Sequence, residues 1–319
     1  MDEKIARKYL RRQFSPVGWA LVVYYLIMNV VVIVAMVADG LVQQLRAFAA
    51  GDFDFVMDET AMMNNGWGYL VAIAVGLLIL YAWKGGDFFR REVLVKEKSM
   101  TAPVFFGVLC LCVGPQLVNN LWIMVLEAVL NLFGLSAIAI LEQVSGQADS
   151  VSMFLYASIA APIAEELLFR GLVLRTLRPF GKKFAIFGSA VLFGIYHGNL
   201  LQTPYTFLIG LVLGYVTVEY SIFWAIMLHG FNNLVLADLL GRLTSLLPEA
   251  AGSAIQFVIL LGFTIAAVVV LITRRQNIRE YWNSEQTDRR ALRCFFLNSG
   301  VIVLTVMMVL NMLLMISGV

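Results

Sequence analysis

Residues 151–174 read VSMFLYASIAAPIAEELLFRGLVL, an apolar stretch that carries adjacent carboxylates at Glu165 and Glu166 and a guanidinium at Arg170. The stretch is long enough to cross a bilayer as one helix, which needs roughly 20 apolar residues. Ionisable side chains inside a bilayer cost about 2.5–3.5 kcal/mol each on insertion scales, so we expect a chain that keeps them there to use them. The only two histidines, His197 and His229, fall in further apolar stretches. The pattern predicts a membrane helix bundle built around a polar site.

The composition places the whole chain in the membrane protein class. Hydrophobic residues make up 61% of the chain, charged residues make up 14%, and the mean hydropathy is +0.84. A soluble core cannot absorb so many apolar runs of spanning length, so the lipid bilayer is the expected environment. The net charge of +2 gives no indication of nucleic-acid binding, and we expect no nucleic-acid partner.

Hydropathy predicts an all-α fold, a polytopic membrane helix bundle with about nine spans. Pro115 is expected to kink or split the third span, which is too long for one straight helix. The mixed stretch at 134–150 is predicted to lie on the membrane surface as an amphipathic helix. We expect one integral membrane domain, in which 1–150 and 242–319 flank a core at 151–241. The predicted spans are 17–37, 66–83, 103–133, 151–174, 184–199, 204–219, 221–241, 254–273 and 294–316.

The positive charges predict the orientation of the bundle. With the N-terminus in the cytoplasm, 20 of the 23 Lys and Arg residues fall on the cytoplasmic side. Cytoplasmic loops carry such an excess, and an even number of spans would spoil the split. The compact loops favour the bacterial plasma membrane as the location.

The spacing of the charged residues in 151–174 separates the two glutamates. Glu166 and Arg170 are four residues apart, so they share a helical face and can form an ion pair. That pair is expected to hold the site in shape, as a structural or supporting element. Glu165 is turned by about 100° from Glu166 and has no partner on its own helix, which suits a general base.

Two further pairs at the same spacing lie on later spans. Phe193 and His197 share a face, and so do His229 and Asn233. An imidazole and a carboxamide side by side offer two donors to the oxyanion that forms when a carbonyl is attacked. Spacing alone does not decide which histidine assists Glu165. The glycine pairs Gly210/Gly214 and Gly194/Gly198 are expected to let these helices pack closely.

Together these motifs resemble the CAAX protease and bacteriocin-processing family, the membrane-embedded glutamic peptidases. The family pattern of EExxxR, FxxxH and HxxxN is matched within residues 151–241, and it includes the string EELLFRG at 165–171. The resemblance implies an intramembrane endopeptidase without a covalent acyl-enzyme, and it implies no cofactor. Its substrates would be membrane-associated or lipidated peptides, cleaved near the C-terminus.

The resemblance also implies a role for each motif residue. Glu165 would activate a water as general base, and His197 would assist it. His229 and Asn233 would stabilise the oxyanion. The remaining motif residues, Glu166, Arg170 and Phe193, would support the site.

Other functions stay open on the sequence. A zinc metallopeptidase could use two histidines and a glutamate as ligands, although there is no HExxH motif. A membrane scaffold or a bacteriocin-immunity protein could keep the motifs without turnover. A transporter could use Glu165 and His197 as a proton relay. The oligomeric state, the organism and the physiological substrate are not indicated.

Overall fold

The computed structural model describes residues 3–58, 62, 64–137, 150–283 and 287–318, and in these ranges the chain is almost entirely helical. The all-α polytopic bundle is confirmed. Its only sheet in the described ranges is an antiparallel pair of two-residue strands, Leu135–Ser136 and Ser317–Gly318. The α-helices are Glu3–Ala49, Trp67–Phe88, Ala102–Val113, Pro115–Asn131, Val151–Leu155, Ala161–Glu166, Arg175–Leu177, Lys182–Tyr196, Thr203–Glu219, Ile222–Phe231, Leu240–Ser245, Glu249–Thr273, Arg275–Asn283, Arg289–Phe296 and Ser299–Leu314.

Several of these helices continue into π-helical or 3₁₀ turns. Among the described residues, four segments are π-helical, and one 3₁₀ turn ends the helical segment Val151–Phe180. Turns of this kind widen or tighten the helix locally, so they change the direction in which the following side chains point. The π-helices are Phe89–Val93, Tyr156–Ala160, Leu167–Leu174 and Asn232–Leu239, and the 3₁₀ turn is Arg178–Phe180.

Fewer helices than the nine predicted spans are both long enough and apolar enough to cross a membrane. Among the described residues, six helical segments are long and apolar enough to cross a membrane, or seven if the bent pair Arg289–Phe296 and Ser299–Leu314 counts as one span. Each of the nine predicted spans has a helix at its position. Lys182–Tyr196 and Thr203–Glu219 have only 15 and 17 residues, so the count of nine stays a prediction.

Sequence signals account for several helix ends. Pro115 divides the third predicted span at Gly114, because proline cannot donate the backbone hydrogen bond. The hydroxyl of Ser150 accepts from the Met153 amide and caps the helix that follows. The stretch at 134–150 is not the predicted amphipathic helix at its start, where Leu135–Ser136 is a strand, and 138–149 lie outside the described residues.

Glycines let the helices around the site approach closely. A Cβ on Gly210 would lie 3.1 Å from the Cα of Ala190, and a Cβ on Gly214 would lie 3.2 Å from Cγ2 of Ile186. Gly194, on Lys182–Tyr196, meets the helix Thr203–Glu219 at Phe207, where a Cβ on the glycine would lie 3.1 Å from the Cβ of Phe207. The prediction for Gly198 was wrong. It lies beyond the end of Lys182–Tyr196 with φ +57, a conformation that glycine adopts without steric cost, so it ends the helix and does not extend its packing face.

The helices at the two ends of the chain pack on each other and on the core. A Cβ on Gly300 would lie 2.4 Å from the backbone nitrogen of Trp19, so Ser299–Leu314 meets Glu3–Ala49 at backbone distance. Phe14 is fully buried, and its ring makes edge contacts with Phe184 and Phe295. The flanking spans therefore share one hydrophobic core with the helices at 151–241.

A charge cluster joins loop 94–101 to the ends of two helices. The carboxylate of Glu219 is 2.5 Å from Nζ of Lys98 and 3.1 Å from Nζ of Lys182. This hydrogen bond and the charge of Glu219 raise the pKa of Lys98. The contacts fix the loop at the side of the bundle that the charge distribution predicts to be cytoplasmic.

Candidate active site

The site is built on a fully buried ion pair. Nη1 of Arg170 lies 2.9 Å from Oε1 of Glu166, and both side chains are 0% exposed. The second guanidinium nitrogen, Nη2, donates to the carbonyl of Gly210 at 3.3 Å. The guanidinium also stacks on the ring of Phe193, with Cζ 4.2 Å from the ring centroid. The contacts with Gly210 and Phe193 hold the guanidinium in place beside Glu166. The pairing matters because an unpaired buried charge would be very costly.

His229 lies between the two glutamates. Its Nδ1 donates to Oε1 of Glu166 at 2.9 Å, so one carboxylate oxygen receives both the histidine and the arginine. Its Nε2 lies 3.7 Å from Oε2 of Glu165. The Glu165 side chain keeps 27% of its surface exposed, whereas Glu166 keeps none. The two adjacent carboxylates thus lie in different environments, as their helical spacing predicts.

Phe193 separates the two histidines. Its ring centroid is 4.9 Å from that of His197 and 5.7 Å from that of His229, and both contacts are edge-on. Nδ1 of His197 donates to the carbonyl of Phe193 at 2.8 Å, which leaves Nε2 available. Within the described residues, no hydrogen bond or ion pair joins His197 to either glutamate, and its contact with the cluster is made through the ring and the carbonyl of Phe193.

Asn233 belongs to an adjacent hydrogen-bond chain. Its Nδ2 donates to the carbonyl of Ala157 at 3.2 Å, and its Oδ1 accepts from Asn232 at 3.2 Å. Asn232 in turn accepts from the hydroxyl of Tyr205 at 2.7 Å. In the part of the chain that the structure describes, no hydrogen bond connects Asn233 with His229. The sequence analysis did not predict Asn232 or Tyr205 as site residues. Asn232 lies within the HxxxN motif, next to Asn233, which is the one sequence signal for it.

Three π-helical segments surround the site. Tyr156–Ala160 and Leu167–Leu174 flank the turn that carries both glutamates, and Asn232–Leu239 begins three residues after His229. Such segments occur frequently at functional sites because they re-aim side chains without ending the helix. A pattern analysis that assumes 3.6 residues per turn cannot detect them.

A cavity of about 250 Å³ opens beside Glu165. It lies between Glu3–Ala49, Trp67–Phe88 and the segment that carries the glutamates. Five of its lining residues are tyrosines, which combine an apolar ring with a polar tip. The sequence showed these tyrosines only as aromatic residues within apolar spans, so the cavity was not predicted. The tyrosines are Tyr24, Tyr25, Tyr69, Tyr156 and Tyr196.

The structure therefore connects six of the seven predicted site residues. Glu165, Glu166, Arg170, Phe193 and His229 form one cluster, His197 joins it through Phe193, and Asn233 lies in the neighbouring hydrogen-bond chain. Among the described residues, no group of three His, Cys, Asp or Glu side chains has the geometry to hold a metal ion. The cluster offers the carboxylate of Glu165, the Nε2 atom of His229 and, beside them, a cavity with room for water.

A comparison with protein families covers this cluster. Residues 147–235 match the family model of the Type II CAAX prenyl endopeptidases, Rce1-like. These residues are called the Rce1-like domain, after the family to which they are similar. The match contains all three motifs, and it leaves residues 1–146 and 236–319 outside. Neither a curated protein nor a solved structure matches the chain.

The family match and the apolar helices both indicate a membrane protein. The family is one of prenyl endopeptidases, and the chain has at least six helical segments with the length and apolarity of membrane spans among its described residues. The chain is therefore an integral membrane protein, and its residues 147–235 are similar to the CAAX endopeptidases. The resemblance drawn from the three sequence motifs is confirmed.

Proposed function

We propose that this chain is an intramembrane glutamic endopeptidase that hydrolyses peptide bonds with an activated water. The observation that carries the proposal is the position of His229, whose two ring nitrogens face the two glutamates of the Rce1-like domain. A structural ion pair would need only Glu166 and Arg170. The additional carboxylate of Glu165, which is partly exposed and lines a cavity, is what a reaction with water requires.

In this proposal Glu165 is the general base. A water oxygen can lie within hydrogen-bond distance of both Oε2 of Glu165 and Nε2 of His229, because these atoms are only 3.7 Å apart. Glu165 takes a proton from this water, and the hydroxide attacks the carbonyl carbon of the peptide bond. The protonated Glu165 then gives its proton to the amide nitrogen as the carbon–nitrogen bond breaks, so water is consumed and a carboxyl and an amine are formed.

The proposal assigns the oxyanion to His229 and Asn233. Glu166 accepts from Nδ1 of His229 and orients the ring so that Nε2 points to the side of Glu165, where the oxyanion would form. Asn233 uses one amide hydrogen for Ala157 and has another for the substrate. Donors aimed at the developing charge contribute about 2.7–4 kcal/mol each when the site excludes water. His197, whose Nε2 is available, assists at the edge of the site.

The substrate proposed is a membrane-associated or lipidated peptide that is cleaved near its C-terminus. The cavity beside Glu165 lies among helices of the bundle, so a peptide held at the membrane reaches it more readily than a soluble protein does. No cofactor is part of this proposal, and zinc dependence is its direct alternative. The location in a bacterial plasma membrane stays a prediction.

The test compares peptides released in membranes that contain either the wild type or Glu165→Gln at matched levels. Mass spectrometry should find peptides that appear only with the wild type, because a carboxamide cannot take the proton. Glu127→Gln is the matched control, since Glu127 lies on a different helix and binds the loop at Ser136 and Ala137. Equal peptide profiles from all three membranes would favour a scaffold or immunity function.

A further inference from the structure

A second cavity lies at the other end of the helical segment that carries the glutamates. Its volume is about 430 Å³, and it is bounded by the π-helical turn Phe89–Val93, the loop after it and the turn at 175–180. Ten residues separate Glu165 from Arg175, which is about 15 Å along a helix, so the cavity is distinct from the candidate active site. We call it the arginine pocket. Its lining residues are Arg91, Glu92, Val95, Arg175, Arg178 and Pro179.

Arg175 is the unusual residue of this pocket. It is only 5% exposed, yet in the part of the chain that the structure describes its Nε and Nη2 atoms have no hydrogen-bond partner. Buried guanidinium groups are normally paired, because an unpaired buried charge is strongly destabilising. A side chain that lines a cavity in this state has donors ready for a ligand.

The other charges of the pocket do not neutralise Arg175. Arg178 already has a partner, since its Nη2 lies 2.7 Å from Glu97, and Glu92 is exposed on the wall. Arg91 is exposed, and no carboxylate lies within ion-pair distance of it among the described residues. The pocket therefore holds three guanidinium groups and one carboxylate, Glu92, and among the described residues neither Arg91 nor Arg175 forms an ion pair.

We propose that the arginine pocket binds a phosphate group. Guanidinium groups bind phosphate oxygens through parallel N–H donors, and this geometry suits Arg91 and Arg175 on two sides of one cavity. The pocket lies at the ends of two membrane helices, on the side where the positive charges predict the cytoplasm. Basic pockets between membrane helices at that level bind lipid headgroups, so the phosphate belongs to a lipid headgroup or to a free phosphate. This proposal does not depend on the proposed function.

The experiment uses the purified full-length chain and two probes. Phosphatidylcholine nanodiscs with or without phosphatidic acid test the lipid source, and native mass spectrometry counts the phosphatidic acid retained. Inorganic phosphate, titrated onto the protein in detergent with a thermal-unfolding readout, tests the free anion. The variants are Arg175→Gln and Arg91→Gln. Arg90→Gln is the matched control, because Arg90 is the exposed neighbour of Arg91 and does not line the pocket.

The expected result is retention of phosphatidic acid that falls about tenfold in each pocket variant, as loss of one charge-assisted hydrogen bond predicts. Arg90→Gln should leave it unchanged. Stabilisation by inorganic phosphate alone, lost in the same two variants, would assign the pocket to a free phosphate. Binding that is equal in all four proteins, or absent with both probes, would overturn the proposal. If Arg175→Gln fails to fold, the exposed Arg91→Gln still decides the result.

Discussion

Replacing Arg170 by methionine should destabilise the fold strongly, because it leaves Glu166 as a buried carboxylate without its cation. Both side chains are 0% exposed, and breaking such a pair costs about 3–5 kcal/mol. Glu166 still accepts a hydrogen bond from His229, so the cost should lie near the lower end, at about 3 kcal/mol. The variant also loses the stacking of the guanidinium on Phe193 and its hydrogen bond to the carbonyl of Gly210, and both losses add to the destabilisation.

The assay is SDS-induced unfolding in mixed micelles, followed by the fluorescence of the six tryptophans. The double variant Arg170→Met/Glu166→Gln should recover most of the loss. It carries no buried charge at these positions, and the glutamine oxygen can still accept from His229. Its stability should recover while peptide release stays low, because a neutral glutamine replaces the carboxylate that accepts from His229.

The control is Arg7→Met on the first helix. Arg7 and Glu3 form an ion pair with the same four-residue spacing at 2.6 Å, but both side chains are more than half exposed. Exposed pairs of this spacing contribute only about 0.3–0.5 kcal/mol. The reasoning would be refuted if Arg170→Met cost no more than Arg7→Met, or if the double variant were as unstable as the single one.

Glu165→Gln should lower peptide release by at least about 10²-fold and leave the unfolding transition in place, as expected for loss of a general base whose neighbour His229 is also held by Glu166; a shifted transition would indicate a structural role. Asn233→Ala should lower kcat by about 10²–10³-fold if its amide binds the oxyanion, and a purely structural asparagine would change stability alone. Gly210→Val should cost about 1–3 kcal/mol through overpacking against Ala190, whereas Gly262→Ala, whose added Cβ meets nothing within 4 Å, should be neutral in the same unfolding assay. The chelator 1,10-phenanthroline should leave peptide release unchanged, and inhibition that zinc reverses would favour the metallopeptidase alternative.

Local spacing was enough to predict the contacts made within one helix. The ion pair of Glu166 and Arg170 and the contact of Phe193 with His197 both follow from residues four apart. Glu165 was correctly expected to face away from Arg170. Short-range geometry of this kind depends only on the helix, so a single sequence contains it.

Contacts between helices were beyond the sequence. Nothing in the motif spacing indicated that Nδ1 of His229 would bind Glu166 and that its Nε2 would face Glu165. The tyrosine-lined cavity and the surroundings of Arg175 could not be predicted for the same reason, since each is formed by helices that are far apart in the chain. The π-helical segments also shifted residues away from the ideal period, and Gly198 ended a helix that the small-residue pattern had extended.

The close contact of Gly300 with Trp19 has a consequence for how this protein is made. Trp19 and Ser299, on the two helices that meet there, are 280 residues apart, so the second helix is synthesised long after the first. Until then the surface of the first helix around Phe14 has no Phe295 to cover it, and the helices with the glutamates insert into an open bundle. Packing of these two helices on each other is therefore a late step of membrane assembly. A chain arrested before residue 295 would leave that apolar surface uncovered.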